Sequence, residues 1–232
     1  MKKLIVIEGT DGSGKKTQAD LLRKNLAENG YSVTEQSFPN YESQSSGPVK
    51  MYLGGELCEN ANELNAYQSS ALFSVDRLCT MQKLKNDTND IGVFDRYVQS
   101  NLIHQGSKIN DKQELVKYAD WLYDFEFNKL NLQRPDMVIF LNMPPEKSIE
   151  LASGRGELKS GLSKDIHEKD TAHLIKAHKT GMWLAKKMKW KVIDCLNEKG
   201  NVKTREEIQT EILKVVKQLL PEKSEARPKG KV

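Results

Sequence analysis

The chain has 232 residues, of which 38% are hydrophobic and 29% are charged, so it is long enough to bury one sizeable core. Lys and Arg outnumber Asp and Glu by 36 to 32, an excess that suits an anionic small molecule and is too small for a nucleic-acid-binding footprint. Three widely spaced cysteines and the lack of a long apolar run argue against a disulfide framework, a zinc site and a membrane span, and predict a cytoplasmic protein.

Short apolar runs bounded by charged or turn residues predict strands that are buried on both faces. The clearest runs are residues 4–7, 92–94 and 137–141. Residues 33–38 and 190–194 are two weaker candidates. The sequence therefore predicts five strands.

Longer segments with helical spacing of apolar residues lie between or after these runs. They contain Leu22 and Leu26; Leu64, Ala71, Val75 and Leu78; Leu115, Ala119 and Leu122; and Ile208, Ile212, Val215, Val216 and Leu219. Strands that alternate with helices predict a three-layer α/β fold, with a five-stranded parallel sheet and helices on both faces.

Two segments break this alternation. Residues 154–169 are polar and contain three glycines, so they are predicted to form a short mobile lid within a single domain that spans residues 1–220. Residues 221–232 are basic and nearly devoid of apolar side chains, which predicts a disordered tail.

The segment after the first predicted strand has the spacing of a phosphate-binding loop. It reads Gly9-Thr10-Asp11-Gly12-Ser13-Gly14-Lys15 and leads into a predicted helix. Glycines let the backbone curl so that its amide hydrogens point inward, and the helix N-terminus adds a positive potential. Gly9, Gly12, Ser13, Gly14 and Lys15 are thus predicted to hold the phosphates of ATP; a glycine-rich turn without a ligand is the alternative.

One position departs from the motif. A Ser or Thr that helps to hold magnesium should follow the lysine, but the chain has Lys16 there and Thr17 one residue later. A helix turns by about 100° per residue, so Thr17 needs a local shift to replace the missing hydroxyl. Three options stay open: Thr17 as a metal ligand, Lys16 as extra charge for ATP, or magnesium held through water.

Several separated segments together resemble the thymidylate kinase family. They are IEGTDGSGK at residues 7–15, SFP at 37–39, ALFSVDR at 71–77, DRY at 95–97 and GRGE at 154–157. Their order and spacing span residues 3 to about 220. The resemblance implies the fold of P-loop nucleoside monophosphate kinases, phosphorylation of dTMP to dTDP with ATP and Mg²⁺, and a homodimer with no nucleic-acid or membrane partner.

Asp95 and Arg96 follow the third predicted strand directly, so they should project from the carboxyl edge of the sheet, where open parallel sheets bind ligands. An arginine there can hold a monophosphate through two parallel hydrogen bonds, and a carboxylate can orient magnesium-bound water or the attacking group. The resemblance implies these roles for Arg96 and Asp95. An ion pair that closes a strand end is the alternative.

The resemblance also implies contacts with the thymine base. Phe73 and Arg77 lie four residues apart on a predicted helix and share one face. They match family residues that stack on the base and contact its carbonyl, and Ser100 and Gln105 resemble partners of the pyrimidine edge. From the residues alone, Phe73 is better explained by core packing, and plain surface polar residues are the alternative for Ser100, Gln105 and Tyr97.

Three further residues match family contacts around the substrate. The resemblance implies that Asp11 accepts from the 3′-hydroxyl, that Tyr97 crowds the 2′ position, and that Phe38 lies beneath the substrate. Some members carry a phosphate-binding arginine shortly after the Phe-Pro pair. In this chain that contact is either missing or replaced by Tyr41, which is the candidate substrate contact here.

Positive charge near the transferred phosphate is expected to come from the lid, because the phosphate loop contains no arginine. Arg155 in the lid resembles a bacterial lid arginine that closes on ATP and excludes water. Residues 197–202 are a candidate adenine loop. The four histidines His104, His167, His173 and His178 lack a ligand-like grouping and are expected to be surface or core residues.

Two other functions stay open at this point. The chain could be a kinase for another deoxynucleotide or a deoxynucleoside, because a phosphate-loop fold does not set the acceptor. It could also be a weakly catalytic nucleotide-binding protein, an interpretation suggested by Lys16 and by the missing arginine near Tyr41. A GTPase is disfavoured, since no Asn-Lys-x-Asp motif follows a late strand.

Overall fold

The computed structural model describes residues 1–58, 60–153 and 171–220, and its centre is a five-stranded parallel sheet. The strands are β1 (Lys3–Glu8), β2 (Val33–Ser37), β3 (Ile91–Asp95), β4 (Met137–Asn142) and β5 (Lys191–Asp194). They pair in the order β2-β3-β1-β4-β5. All five predicted strands are confirmed, with bounds that differ from the prediction by no more than one residue at either end.

The described helices cover both faces of this sheet. They are α1 (Lys15–Glu28), α2 (Gly47–Leu53), α3 (Ala66–Lys83), α4 (Val98–His104), α5 (Lys112–Tyr123), α6 (Pro145–Ser153), α7 (Thr171–Lys187) and α8 (Arg205–Val216). A π-helical turn, Asp124–Lys129, follows α5 directly. The apolar spacing predicted α1, α3, α5 and α8, whereas the short α2, α4 and α6 and the longer α7 were not predicted.

Side chains of β1 alternate between two apolar cores. Leu4 and Val6 belong to one core, which also contains buried residues of α3, α4, α5 and α7. Ile5 and Ile7 belong to the other, which is closed by α1 and α8. Successive strand residues point to opposite faces, so an uninterrupted apolar run satisfies both cores. The predicted three-layer α/β architecture is therefore confirmed.

Helix α3 differs from its prediction. It begins at Ala66, after an Asn65–Gln68 capping box, so Leu64 lies outside it. Val75, predicted to face the core, is 47% exposed. Apart from Ala66, the buried residues of α3 are polar: Ser69, Ser70, Ser74, Asp76, Arg77 and Thr80. The apolar spacing predicted the wrong buried face for this helix because part of its inward side lines a polar cavity.

Two predicted segments cannot be compared with this fold. The lid at residues 154–169, including Arg155, and the tail at residues 221–232 lie outside the described residues. Within the part of the chain that the structure describes, no helix has the length and apolar character needed to cross a bilayer.

Candidate active site

The phosphate-binding loop has the context that its sequence predicted. Strand β1 ends at Glu8, helix α1 begins at Lys15, and the intervening turn is closed by a hydrogen bond from the Ser13 amide to the Thr10 carbonyl (3.2 Å). Gly12 has φ +77° and Gly14 has φ +87°, conformations that side chains strongly disfavour. The loop therefore has the backbone conformation that binds phosphate in related folds.

Replacing Gly12 with alanine is expected to raise the KM for ATP by about tenfold, because a left-handed conformation costs a non-glycine residue about 1–2 kcal/mol. The added Cβ would also lie 2.8 Å from the carbonyl oxygen of Ser148 in α6, so the loop must shift. Gly30→Ala is the matched control, since Gly30 has φ +80° with nothing within 4 Å of the new Cβ. Steady-state kinetics should show the KM change in the first variant alone; equal KM values would contradict the prediction.

Lys15 is held against the loop. It is buried, and its Nζ donates to the Thr10 carbonyl oxygen at 2.8 Å and lies 4.0 Å from Asp11 Oδ1. Burial, together with the positive charge of Arg96, lowers the pKa of Lys15 to about 8. An arriving phosphate would favour the charged form, so this placement suits the role predicted for Lys15.

Lys16 and Thr17 occupy the first turn of α1. The Lys16 side chain is 72% exposed, and its Nζ lies 3.5 Å from Asp20 Oδ1, one helical turn further on. Thr17 is half-buried. The structure thus brings Lys15 to the loop and pairs the exposed Lys16 with Asp20.

One cavity of about 290 Å³ opens beside the phosphate loop at the carboxyl edge of the sheet. It is lined by every residue that was predicted to contact the acceptor: Asp11, Phe38, Tyr41, Phe73, Arg77, Arg96, Tyr97, Ser100 and Gln105. Asp76, Asp95, Asn101 and His104 line it as well. The structure therefore brings together residues that are up to 94 positions apart, the separation of Asp11 and Gln105.

Arg96 is the charged centre of this cavity. Its φ of +68° is unusual for a residue other than glycine, and it lies in the turn between β3 and α4. The guanidinium forms an ion pair with Asp11 and a 2.9 Å contact between Nη1 and His104 Nε2. Burial would lower the pKa of Arg96, but the carboxylates of Asp11 and Asp95 raise it above its usual value, so Arg96 stays charged.

Asp95 is suited to a metal or its bound water. Its Oδ1 is buried and has no hydrogen-bond partner, while Oδ2 accepts a long bond of 3.4 Å from Ser37 Oγ. A buried carboxylate oxygen without a partner is rare and is the kind of ligand that Mg²⁺ prefers. Asp95 also ends β3 next to β1, in register with Ile7 just before the phosphate loop. The residues present therefore fit magnesium.

Arg77 and Glu126 form a buried ion pair behind the cavity. Arg77 Nε donates to Glu126 Oε2 at 2.6 Å, and Nη2 contacts the other carboxylate oxygen. Ser74 Oγ donates to Glu126 at 2.8 Å, and Arg77 Nη1 reaches Asn101 Oδ1 at 3.4 Å. Glu126 was not predicted, because nothing in the sequence links it to a residue 49 positions earlier. The pair fixes the side chain that was predicted to read the base.

Three of the aromatic residues that line the cavity differ in burial. Phe73 is half-buried and packs edge-on against Tyr52, with ring centroids 6.2 Å apart. Phe38 and Tyr97 are buried and pack against each other and against Phe94. The Tyr97 hydroxyl donates to the Gln133 carbonyl at 3.2 Å, so its hydrogen is not available to a sugar hydroxyl.

His104 has a place at the cavity that the sequence analysis did not assign to it. This residue lines the cavity, and since a guanidinium only donates, its Nε2 accepts from Arg96. The His104 ring stacks on His173 from α7 at a centroid distance of 5.7 Å. The two histidines are 69 residues apart, so spacing along the chain contains no signal of their contact.

Glu8 is a second residue that the sequence analysis did not assign to the site. It is fully buried at the end of β1, and its carboxylate accepts from the Tyr97 amide (2.9 Å) and the Ser100 hydroxyl (2.7 Å). Burial raises the pKa of Glu8 to about 7, although the charge of Arg96 opposes the shift. Glu8 lies in the IEG segment that resembles the family, but the sequence analysis assigned a role only to the glycine of that segment.

A second cavity of about 580 Å³ lies at the carboxyl ends of β4 and β5. Asn142 donates to Asp194 at 2.7 Å and contacts His178 Nε2 at 2.8 Å. Asn197 from the predicted adenine loop also lines this cavity, and that loop is closed by a bridge between Leu196 and Val202. Its position at the same sheet edge as the phosphate loop is compatible with a nucleotide base.

Comparisons with known proteins agree with this geometry. The family model described as thymidylate kinase matches residues 7–208. A thymidylate kinase of Mycobacterium tuberculosis is 31% identical over 170 residues, which cover 72% of this chain and 78% of the relative. A thymidylate kinase of Prochlorococcus marinus is 30% identical over 197 residues, covering 82% and 87%.

A solved structure of thymidylate kinase from Candida albicans has the same fold. Its TM-score is 0.66 at 21% identity, and the match covers 94% of this chain and 92% of that one. At this identity the similarity supports the architecture alone.

Proposed function

The chain belongs to the thymidylate kinase family and is an ATP:dTMP phosphotransferase, and from this premise we propose how its residues bind the two nucleotides. The acceptor dTMP occupies the cavity around Arg96, and the phosphates of ATP lie on the loop from Gly9 to Lys15. The observation that carries this proposal is that all predicted acceptor residues line one cavity beside the phosphate loop.

Phosphoryl transfer requires mainly positioning and neutralisation of charge. In the proposed arrangement, Arg96 holds the monophosphate of dTMP with its two-pronged guanidinium, and the carboxylate of Asp11 is then released towards the sugar 3′-hydroxyl. Lys15 neutralises the transferred phosphate from the side of ATP. The contact of Arg96 with Asp11 supports this proposal, because it places the acceptor-binding cation directly against the donor-binding loop.

The thymine base lies between Phe73 and the cavity wall. Arg77 reads the base edge through Nη1, whose contact with Asn101 is long at 3.4 Å, so this nitrogen retains donor capacity. Gln105 uses Oε1 to accept from Ser69 at 2.8 Å, which leaves its amide nitrogen for the base. Tyr97 contributes its ring next to the sugar, and Phe38 forms the floor.

Magnesium is the proposed metal. Asp95 would hold it or its water through the buried oxygen that lacks a partner, and Thr17 is a second candidate ligand. When bound, the ion adds positive charge at the phosphates. The lid arginine Arg155 lies outside the described residues, and its closure on ATP stays a prediction that an Arg155→Ala variant with unchanged turnover would refute.

A homodimer in the cytoplasm is the proposed state of the enzyme. Helices α2 and α3 pack on each other and expose Met51 (40%) and Val75 (47%), apolar side chains that a second copy would cover. Sedimentation velocity of the purified protein tests this state, and a monomer at micromolar concentration would contradict it. Residues 1–220 are proposed to form the single folded domain.

The experiment that tests the function is ADP production with ATP and Mg²⁺ and a panel of acceptors: dTMP, deoxyuridylate, deoxycytidylate, AMP and thymidine. We expect dTMP to be the preferred acceptor and turnover to stop when the metal is chelated. A preference for another acceptor would retain the fold and refute the base contacts of Phe73 and Arg77. ATP binding without turnover on any acceptor would support a nucleotide-binding protein instead.

A further inference from the structure

The end of β1 holds the turn that carries Arg96 at three points. The Arg96 amide donates to the Ile7 carbonyl at 3.0 Å. The next amide, that of Tyr97, donates to Glu8 Oε1 at 2.9 Å, and the Ser100 hydroxyl donates to Glu8 Oε2 at 2.7 Å. Both oxygens of one fully buried carboxylate therefore bind the segment directly after Arg96.

This segment needs external support. The left-handed backbone of Arg96 (φ +68°) costs an amino acid with a side chain about 1–2 kcal/mol. Such a conformation persists only where the surrounding structure enforces it. Glu8 accepts from the amide that directly follows this residue and from a side chain one helical turn later. Ser100 Oγ in turn lies 3.5 Å from Arg96 Nη1, so the same chain of contacts reaches the guanidinium.

We propose that Glu8 is a positioning residue: through the Tyr97 amide and the Ser100 hydroxyl it holds Arg96 in the orientation that receives the acceptor's phosphate. The inference rests on the role proposed above for Arg96. It adds a residue that touches neither nucleotide but determines how tightly the monophosphate binds.

A direct chemical role for Glu8 fits the geometry less well. Both carboxylate oxygens already accept short hydrogen bonds, and the residue has no exposed surface. The attacking group of a nucleoside monophosphate is a phosphate oxygen that is already anionic near neutral pH, so the transfer needs no general base to remove a proton. Glu8 is thus better placed to fix Arg96 than to react.

Two variants of Glu8 separate the effect of side-chain length from the effect of its negative charge. Glu8→Asp keeps the charge but shortens the side chain by about 1.5 Å, the length of one carbon–carbon bond, so it cannot serve both the Tyr97 amide and the Ser100 hydroxyl. Glu8→Gln keeps the reach and removes the charge; its amide oxygen still accepts from the Tyr97 amide, and its NH₂ group donates to the Ser100 hydroxyl instead of accepting from it. The measurements are the Kd values of dTMP, thymidine and ATP by isothermal titration calorimetry, with circular dichroism melting as a check of folding.

We expect Glu8→Asp to raise the Kd of dTMP about tenfold, which corresponds to the loss of one buried hydrogen bond. The Kd values of thymidine and ATP should change less than twofold. Thymidine lacks the phosphate that Arg96 binds, so a general disturbance of the cavity would weaken both acceptors alike. Glu8→Gln should stay within threefold of the parent for dTMP. The proposal is overturned if Glu8→Gln raises the Kd of dTMP more than Glu8→Asp does, or if Glu8→Asp raises the Kd of thymidine as much as that of dTMP. It is also overturned if the Glu8→Asp variant does not fold.

A third variant distinguishes this inference from the proposal on which it rests. In an Arg96→Ala background, Glu8→Asp should have no further effect on the Kd of dTMP. If Arg96→Ala itself leaves dTMP binding unchanged, the phosphate role of Arg96 fails. If Arg96→Ala weakens binding and Glu8→Asp does not, only the positioning role of Glu8 fails.

Discussion

Replacing Arg96 with alanine is expected to lower kcat/KM for dTMP by about a thousandfold, the loss found when an arginine that neutralises phosphoryl charge is removed. The residue is charged, largely buried and in contact with Asp11 on the phosphate loop. Its removal takes away the cation that we propose holds the phosphate of dTMP. Steady-state kinetics with dTMP and ATP measure the effect.

Arg96→Lys is the matched control for charge. Lysine keeps the positive charge but loses the planar fork that binds two phosphate oxygens at once. We expect an intermediate loss of about tenfold to a hundredfold, together with a near-normal KM for ATP in both variants. An alanine variant within fivefold of the parent would show that the acceptor's phosphate is held elsewhere.

Replacing Glu126 with alanine is expected to lower the free energy of unfolding by about 3–5 kcal/mol, the cost of leaving one member of a buried ion pair without its partner. The guanidinium of Arg77 would then lie in the protein interior with only the long contact to Asn101. Denaturation by urea, followed by circular dichroism, measures the change. Glu114→Ala, which removes an exposed partner of Lys117, should have little effect.

The double variant Arg77→Met with Glu126→Leu separates stability from recognition. Apolar side chains of similar volume often replace a buried ion pair at little cost, so most of the lost stability should return. Use of dTMP should stay impaired, because the donor that we propose to read the base edge is absent. A double variant that regains normal turnover would show that Arg77 is a structural residue alone.

The sheet could be predicted from the sequence because its signals are local. A continuous apolar run such as residues 4–7 satisfies a strand that is buried on both faces, wherever its neighbours lie. The strand, glycine loop and helix around Gly12 are likewise adjacent in the chain, so their spacing alone indicates a phosphate site. The residues predicted to contact the acceptor came from the resemblance, and the fold brings them to one cavity.

The partners of these residues depended on the tertiary structure. The contacts of Glu8 with Ser100, of Arg77 with Glu126 and of His104 with His173 join residues separated by 92, 49 and 69 positions. Such pairs form only after helices have packed on the sheet, and no periodicity along the chain encodes them. The same holds for Val75, since apolar spacing shows which residues share a helix face but not whether that face meets a core, a polar cavity or solvent.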